Sequence, residues 1–180
     1  MMHIILLKWG TKYSAADVNK QAASLRKYCD YPIFCFTEDP TDVEIPCLLL
    51  PKKPKLARWW NKLLLFRDDF LLEGRCVLFD LDIQIIDNPF KYIEHIDWTT
   101  PHFLYDYWKK DLVWNKHAYE TMLNSSILAW TPLENQEYWN AFNENIDYNT
   151  RKYRGIDRYV WDKELKYGTF DNELHSTIIL

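Results

Sequence analysis

Short apolar runs and amphipathic segments alternate along the chain. The apolar runs at 3–7, 31–37 and 43–50 are rich in β-branched and aromatic residues, which is typical of strands. Between the first two runs, apolar side chains recur at helical spacing, and Ser14 with Asp17 forms a capping-box pattern that predicts the start of a helix. The first part of the chain therefore predicts a strand, a helix and two further strands.

The alternation continues to the end of the chain. Further strands are predicted at 75–86 and 124–130, and the pattern also allows one at 102–107. Further helices are predicted from Arg58 to Gly74, from a capping box at Thr131-Pro132-Leu133-Glu134, and over 151–166 with an interruption at Gly155. Strands that alternate with helices are typical of α/β proteins, so we expect a single α/β domain over 1–180 with a mostly parallel central sheet flanked by helices.

Two carboxylates stand out in the run 75–86. If this run is one strand, Asp80 and Asp82 leave the same side of it, about 6.5–7 Å apart. Burial of two unpaired carboxylates is costly, and the run itself contains no cation beyond Arg75. A divalent metal held by the pair is one interpretation. The other is that the strand ends at Asp80 and both acids are solvated.

Composition narrows the classes of protein that fit. The net charge of −4 gives no reason to expect a nucleic-acid partner, which usually requires a clustered basic surface. The four cysteines show no Cys-x-x-Cys spacing, and the apolar run 4–7 is too short to cross a membrane. Buried free thiols and a cytoplasmic location are the expectation. The 9 Trp and 12 Tyr include several in polar loops, where a nucleobase or a sugar ring could stack.

Polar groups follow three of the predicted strands. The segments are 8–13, 37–39 and the Asp80/Asp82 pair. Ligands of parallel sheets bind outside the carboxyl ends of the strands, so these groups should converge on one crevice. A carboxylate-bound cation with nearby lysines and aromatic rings suits a nucleoside diphosphate, and a metal there would neutralise charge on a departing phosphate. Sugar transfer from a nucleotide donor is consistent with that set.

Five short motifs resemble those of glycosyltransferases with the GT-A fold. In chain order they are Lys8-Trp9-Gly10-x-x-Tyr13, Phe36-Thr37-Glu38-Asp39-Pro40, Trp59-Trp60-Asn61-Lys62-Leu63, Phe79-Asp80-Leu81-Asp82 and Asn124-Ser125-Ser126-x-x-x-Trp130. The chain is most similar to small bacterial and viral members near the glycogenin-like and lipopolysaccharide galactosyltransferase group. The resemblance implies a Rossmann-like GT-A domain that transfers a sugar from a UDP-sugar donor with the help of Mn²⁺ or Mg²⁺.

The resemblance also implies roles for individual residues. Asp80 and Asp82 would ligate the metal, and Asp157, Asn124 and Lys62 are the catalytic candidates. The residues it assigns to the nucleotide and the donor sugar are Lys8, Trp9, Gly10, Tyr13, Thr37, Glu38, Asp39, Lys62, Phe79, Asp80, Leu81, Asn124 and Ser125. Each of these has a plain structural alternative, such as ending a strand or packing a helix. The acceptor, whether carbohydrate, lipid or protein, stays open, as does the oligomeric state.

The sequence departs from the family pattern in two places. Ile156 stands where the family usually has an acid, and Asp157 is displaced by one position, which in a helix turns a side chain by about 100°. Relatives also continue into a region whose His is a third metal ligand, whereas here His175 is the nearest candidate and the C-terminal region is expected to be short or truncated. These departures favour a second hypothesis, a nucleotide-sugar-binding module with little or no transferase activity. A haloacid-dehalogenase-like phosphatase, which also has Asp-x-Asp after an apolar strand, is a third.

Overall fold

A mixed sheet forms the centre of the protein, whose computed structural model describes residues 1–70, 72–109 and 121–180. The strands are β1 (Met2–Lys8), β2 (Ile33–Thr37), β3 (Cys47–Leu49), β4 (Arg75–Phe79), β5 (Gln84–Ile85), β6 (His102–Tyr105), β7 (Leu123–Trp130), β8 (Gly168–Thr169) and β9 (Ile178–Ile179). Within the described ranges, seven strands form the main sheet in the order β3-β2-β1-β4-β7-β6-β8. β7 is antiparallel to both of its neighbours, and the other described pairs of this sheet are parallel. β5 and β9 form a separate antiparallel pair.

The described helices are short. The α-helices are α1 (Ala15–Leu25), α2 (Phe90–Ile93), α3 (Glu137–Asn143), α4 (Ile146–Lys152) and α5 (Ile156–Asp162), and the 3₁₀ helices are Arg58–Phe66, Tyr107–Lys109 and Asn172–Thr177. Ser14 caps α1 with the reciprocal capping box that its sequence predicts. No helix in the described part of the chain is both long and apolar enough to span a membrane.

Two hydrophobic cores cover the two faces of the sheet. Alternate residues of β4 enter opposite cores: Val77 and Phe79 pack with α1 and α2, and Leu78 packs with the helix Arg58–Phe66 and with α3 and α5. The predicted α/β class with a mostly parallel, helix-flanked sheet is confirmed. All four cysteines are free, as predicted, and Cys35 and Cys76 are buried.

The strand order reverses beside β1. β1 lies between β2 and β4 and is parallel to both, so the chain leaves it towards one side of the sheet and later returns on the other. Such a switch point opens a crevice at the carboxyl ends of the two central strands. The residues after Lys8 in β1 and after Phe79 in β4 therefore line the place where an α/β sheet binds its ligand.

The predicted strand at 75–86 is wrong in its length. β4 ends at Phe79, Leu81 and Asp82 form a turn, and β5 begins only at Gln84. The amide of Asp80 still donates to the Ser126 carbonyl at 2.9 Å, and that is the last contact of β4 with β7. The carboxylates of Asp80 and Asp82 thus leave a strand end and a turn.

Two predicted helices also differ. The segment from Arg58 is a 3₁₀ helix that ends at Phe66, well before Gly74. The capping-box pattern at Thr131 does not start a helix, because Leu133 has a φ of 71° and α3 begins only at Glu137. The interruption predicted at Gly155 is confirmed: it separates α4 from α5 with a φ of 140°.

Candidate active site

A buried lysine is at the centre of the candidate site. The Nζ of Lys62 lies 2.8 Å from both Oδ1 and Oδ2 of Asp80. It also donates to the carbonyl of Ser125 at 2.9 Å and to its hydroxyl at 3.1 Å. Only 8% of the Lys62 side chain is exposed. The ammonium is therefore held by a carboxylate, a carbonyl and a hydroxyl in a largely desolvated position.

The 3₁₀ helix explains why a lysine is buried here. Trp60, Leu63 and Leu64 anchor the helix in the core on one side of the sheet, and this carries Lys62 inward with them. The side-chain Nδ2 of Asn61 donates to the carbonyls of Leu56 at 3.2 Å and Arg58 at 2.9 Å, which fixes the start of the helix. The sequence motif around Lys62 thus places a cation against the carboxyl end of β4.

Asp157 reaches the same cluster from α5. Ile156 is only 1% exposed and packs in the core, and Asp157 follows it in the first turn of α5. Burial raises the pKa of Asp157, against the opposing charge of Lys62 and a hydrogen bond with the side chain of Ser125. Its buried Oδ1 has no hydrogen-bond partner among the described residues. This oxygen is buried, so a ligand hydroxyl can reach it only if neighbouring side chains move.

Burial also dominates the ionisation of Asp80. It raises the pKa of this carboxyl, and the Lys62 ammonium opposes the rise. The nearby Asp82 charge adds to the rise. The two carboxylates therefore repel each other electrostatically.

Asp82 lies at the exposed rim of the cluster. The Tyr13 hydroxyl donates to its Oδ2 at 2.5 Å and the Lys12 ammonium at 3.2 Å. Burial by itself would raise the pKa of Asp82, but the hydrogen bonds from Tyr13 and Lys12 outweigh it and lower the pKa. Both partners come from the loop after β1, so this loop and the Asp-x-Asp turn form the two sides of the crevice.

The crevice has a volume of about 170 Å³ and aromatic walls. It is lined by Leu7, Trp9, Lys12, Tyr13, Trp59, Lys62, Asp80, Leu81 and Asp82. The two tryptophans of the Trp59-Trp60 pair have different positions: Trp60 stacks on Phe142 in the core, whereas Trp59 is 39% exposed and faces the crevice. A β-carbon on Gly155 would lie 3.0 Å from two atoms of the Trp59 indole, so glycine is needed where α5 meets this wall.

Several predicted nucleotide-binding residues connect loops instead of lining the crevice. Lys8 donates to the carbonyl of Asp39 at 3.1 Å, and the amide of Gly10 donates to Glu38 at 2.8 Å. The Thr37 hydroxyl both donates to the Asp39 carbonyl and accepts from the Asp39 amide, each at 3.1 Å. These bonds join the loop after β1 to the turn after β2. Trp9 and Tyr13, which line the crevice, belong to the loop that these bonds connect.

Phe79 and Asn124 also lie outside the crevice lining. Phe79 is fully buried and packs edge-to-face on Phe90 in the core. Asn124 donates to Oδ2 of Asp106 at 3.1 Å and accepts from the Ser126 amide at 2.8 Å. Asp106 was not among the predicted site residues. It is 1% exposed and forms an ion pair with Lys109 at 2.7 Å. The sequence pattern could have identified Asp106, because it follows the apolar run of β6 as Asp80 follows that of β4.

The carboxylates of Asp80 and Asp82 fit a divalent cation that also takes ligands from a bound phosphate. Within the described ranges no three His, Cys, Asp or Glu side chains are grouped as a metal site, so Asp80 and Asp82 stand as a pair. Mg²⁺ is commonly bound through one or two carboxylates plus substrate phosphates and waters, which matches a pair of this kind. His175 lies elsewhere: its Nε2 contacts the Tyr105 carbonyl at 3.2 Å and its ring packs against Trp108.

Solved structures with a similar fold include glycosyltransferases. The galactosyltransferase LgtC, solved with donor and acceptor sugar analogs, superposes with a TM-score of 0.63 at 10% identity over 93% of this chain and 72% of its own. GlyE of Streptococcus pneumoniae TIGR4 gives 0.55 in its apo form, at 11% identity over 96% of this chain and 45% of its own. The chain thus spans less than half of GlyE. No protein-family model and no curated protein matches the sequence. At such identities the comparison establishes a shared GT-A-like fold.

Proposed function

We propose that this protein is a metal-dependent glycosyltransferase that uses a UDP-sugar donor. The observation that carries the proposal is the cluster of Lys62, Asp80, Ser125 and Asp157 at the switch point of a fold that glycosyltransferases share. Fold alone does not determine activity, so the proposal rests on the chemistry of these side chains.

The crevice suits a nucleoside diphosphate. Its aromatic walls, Trp9, Tyr13 and Trp59, offer flat surfaces for a base, and base–aromatic stacking contributes about 1–3 kcal/mol. Lys12 stands at the mouth and Lys62 at the base, so a diphosphate between them would meet one cation at each end. A ligand of this shape explains why aromatic rings and lysines line the same crevice.

Asp80 and Asp82 would hold the metal beside the diphosphate. A bound Mn²⁺ or Mg²⁺ supplies Lewis acidity that stabilises negative charge on the leaving diphosphate. Lys12, which is 61% exposed, can leave Asp82 at little cost because exposed ion pairs contribute about 0–1 kcal/mol. Lys62 is better placed to stay, since its Ser125 contacts remain when Asp80 turns an oxygen towards a cation.

Asp157 and Ser125 would act on the sugar. The buried Oδ1 of Asp157 has no partner among the described residues and would accept a sugar hydroxyl once neighbouring side chains move to expose it, and Ser125 interacts with the same carboxylate. In the transfer the bond between the anomeric carbon and the diphosphate oxygen breaks, the acceptor oxygen bonds to that carbon, and the acceptor proton is released. A carboxylate near the ring stabilises the positive charge that develops on the sugar.

Two other functions remain to be tested against this one. A binding module would keep the nucleotide and transfer nothing. The interaction of Asp157 with Lys62 and Ser125 supports a transferase instead, because this carboxylate would take the role that Ile156 cannot. A haloacid-dehalogenase-like phosphatase would use Asp80 as a nucleophile after the first strand of its fold, whereas here three strands precede β4. Phosphate release from an aryl phosphate, with no nucleotide needed, would favour the phosphatase.

The direct test is turnover of a panel of UDP-, GDP- and ADP-sugars with Mn²⁺, followed as release of the nucleoside diphosphate. We expect release from a UDP-sugar, its loss with excess chelator, and its loss in Lys62→Met. Tight UDP binding without turnover of any donor would establish the binding module instead.

A further inference from the structure

Two of the four free cysteines lie side by side on neighbouring strands. Cys35 of β2 and Cys47 of β3 are direct Cα partners in the parallel β2–β3 ladder. Residues paired in this way point to the same face of a sheet, and both side chains pack into the core on the α1 side. The fold therefore makes neighbours of two thiols that belong to different segments of the chain.

The position of the pair suits a disulfide. Neighbouring strands lie about 4.7–4.9 Å apart, and disulfides usually join Cα atoms that are about 4.4–6.8 Å apart. Among the described strands, β3 lies at the edge of the main sheet and has only three residues, so a small shift can bring its cysteine towards β2. The shift would break a weak contact of the Cys47 thiol with the Ile45 carbonyl at 3.5 Å.

The other two cysteines are placed differently. Cys76 is in β4, which β1 separates from β2, and it packs in the core on the opposite side of the sheet. Cys29 follows α1 outside the strands, and its thiol contacts the Leu25 carbonyl at 3.7 Å. Cys29 is partly exposed, as Cys47 is, and so provides a matched control.

The two paired thiols differ in access. Cys35 is buried, whereas Cys47 is partly exposed on the edge strand, so a small reagent would reach Cys47 first. Burial raises the pKa of the Cys35 thiol to about 12 and also raises that of Cys47. Because the thiolate is the reacting form, oxidation of this pair should be slow at pH 7 and faster in mild alkali.

We infer that Cys35 and Cys47 form an oxidation site, which a small-molecule disulfide converts into a cross-strand disulfide. The Cys47 thiolate attacks one sulfur of the reagent, the S–S bond of the reagent breaks, and one reagent thiolate leaves. The Cys35 thiolate then attacks the Cys47 sulfur, and the second reagent thiolate leaves. The two protons that the cysteines release to solvent balance the two that the leaving thiolates take up. Two protein thiols are oxidised and one reagent disulfide is reduced.

The new bond would fasten the edge strand near the candidate site. Two positions after Cys35, Thr37 pairs with Leu49, and the Leu50 amide donates to the Thr37 carbonyl at 2.8 Å. Thr37 also holds the turn after β2, which is joined to the loop after β1. Oxidation should therefore reduce local opening of β3 beside this turn. This inference does not depend on the proposed transferase activity.

The test is incubation of the folded protein with oxidised glutathione at about pH 8.5, near the ordinary pKa of a cysteine. Acid quenching, denaturation, maleimide labelling and peptide mass mapping follow. We expect a Cys35–Cys47 linkage in the parent and equally in Cys29→Ser. Cys35→Ser should stop at a glutathione adduct on Cys47. An unlinked Cys35 in the parent, or an adduct on Cys47 that persists there, would overturn the inference.

A second measurement shows that the reaction occurs in the native fold. Far-UV circular dichroism should be the same before and after oxidation. Amide exchange at Leu50, followed by NMR, should slow roughly tenfold in the oxidised parent, recover with dithiothreitol and stay unchanged in Cys35→Ser. A linkage that forms only in urea, or exchange at Leu50 that does not slow, would contradict a disulfide that fastens β3.

Discussion

Two lysine–aspartate pairs formed by one Asp-x-Asp motif differ in their surroundings. The Lys62–Asp80 pair is largely buried, with side-chain exposures of 8% and 23%, and Ser125 gives the lysine two further acceptors. The Lys12–Asp82 pair is open to water, with exposures of 61% and 54%. The two acids are two positions apart, yet one lies inside the protein and the other lies on its rim.

The comparison indicates which residues of the site keep a fixed geometry and which can exchange their partners. A buried, multiply bonded pair is preorganised, and loss of either partner leaves an uncompensated charge. An exposed pair is screened by water and salt, so its partners can exchange for a cation and a phosphate at low cost. We expect Lys62 and Asp80 to fix the geometry and Lys12 and Asp82 to adapt when metal and nucleotide enter.

The largest effect is expected from Lys62→Met. It leaves Asp80 and Asp157 buried without their cation, so the free energy of unfolding at pH 7 should fall by about 3–5 kcal/mol, as measured by urea denaturation. Because burial raises the folded-state pKa of both carboxyls, they become neutral first in the folded protein, and the deficit should shrink as the pH falls towards 4. The double variant with Asp80→Asn should recover part of the loss. A deficit below 1 kcal/mol would show that the pair is not desolvated.

Asp157→Asn should separate stability from activity. A folded-state pKa above the unfolded value means that the ionised carboxyl destabilises the fold at pH 7, and that this penalty vanishes below about pH 3.9, where both states are protonated. The variant should therefore melt higher than the parent at pH 7 and equally at low pH. Turnover should fall about 100-fold while UDP affinity changes little. A variant with unchanged turnover would remove Asp157 from the sugar site.

Gly155→Ala should be costlier than the same change at Gly10. At Gly155 the φ is 140° and the added carbon meets the Trp59 indole at 3.0 Å, so we expect a loss of about 2–3 kcal/mol. Gly10 has a φ of 60° with no atom within 4 Å of the added carbon, and a cost of about 1 kcal/mol is expected. Thermal denaturation of both variants gives the comparison. An equal loss of stability in the two variants would mean that the Trp59 side chain moves aside with little loss of stability.

Lys12→Met should have the smallest effect. The free energy of unfolding should change by less than about 1 kcal/mol, because the pair is exposed. Asp82 loses a competing cation, so half-maximal activity should need less Mn²⁺ than in the parent. Destabilisation as large as that of Lys62→Met would erase the contrast between the two pairs.

Local signals in the sequence predicted much of the fold. The Ser14–Asp17 box was confirmed, and strands form within the predicted apolar runs, although the run 75–86 contains two short strands and the run 43–50 only Cys47–Leu49. The Thr131 box failed because Leu133 adopts a positive φ that the motif does not encode. That β7 runs antiparallel was also beyond prediction, since pairing direction depends on how distant segments meet.

The residues that pair with Asp80 and Asp82 could not be predicted from local sequence signals. No cation lies within the strand run 75–86 beyond Arg75, which favours a metal when the sequence alone is considered. In the structure Lys62 and Lys12 supply the charge from 18 and 70 positions away. Asp106 could have been found by its place after an apolar strand, but its link to Asn124 and Lys109 required the fold. The metal itself stays a prediction.

The most direct test of the account is a calorimetric titration of the protein with UDP, in Mn²⁺ and in excess chelator, repeated with Asp82→Asn. We predict binding in Mn²⁺ that weakens at least about tenfold, or about 1.4 kcal/mol, in chelator, and a variant that stays folded but binds as weakly in Mn²⁺ as the parent does in chelator. UDP affinity that is the same with and without the metal, or the same in Asp82→Asn, would contradict a nucleotide site built on the Asp80–Asp82 pair.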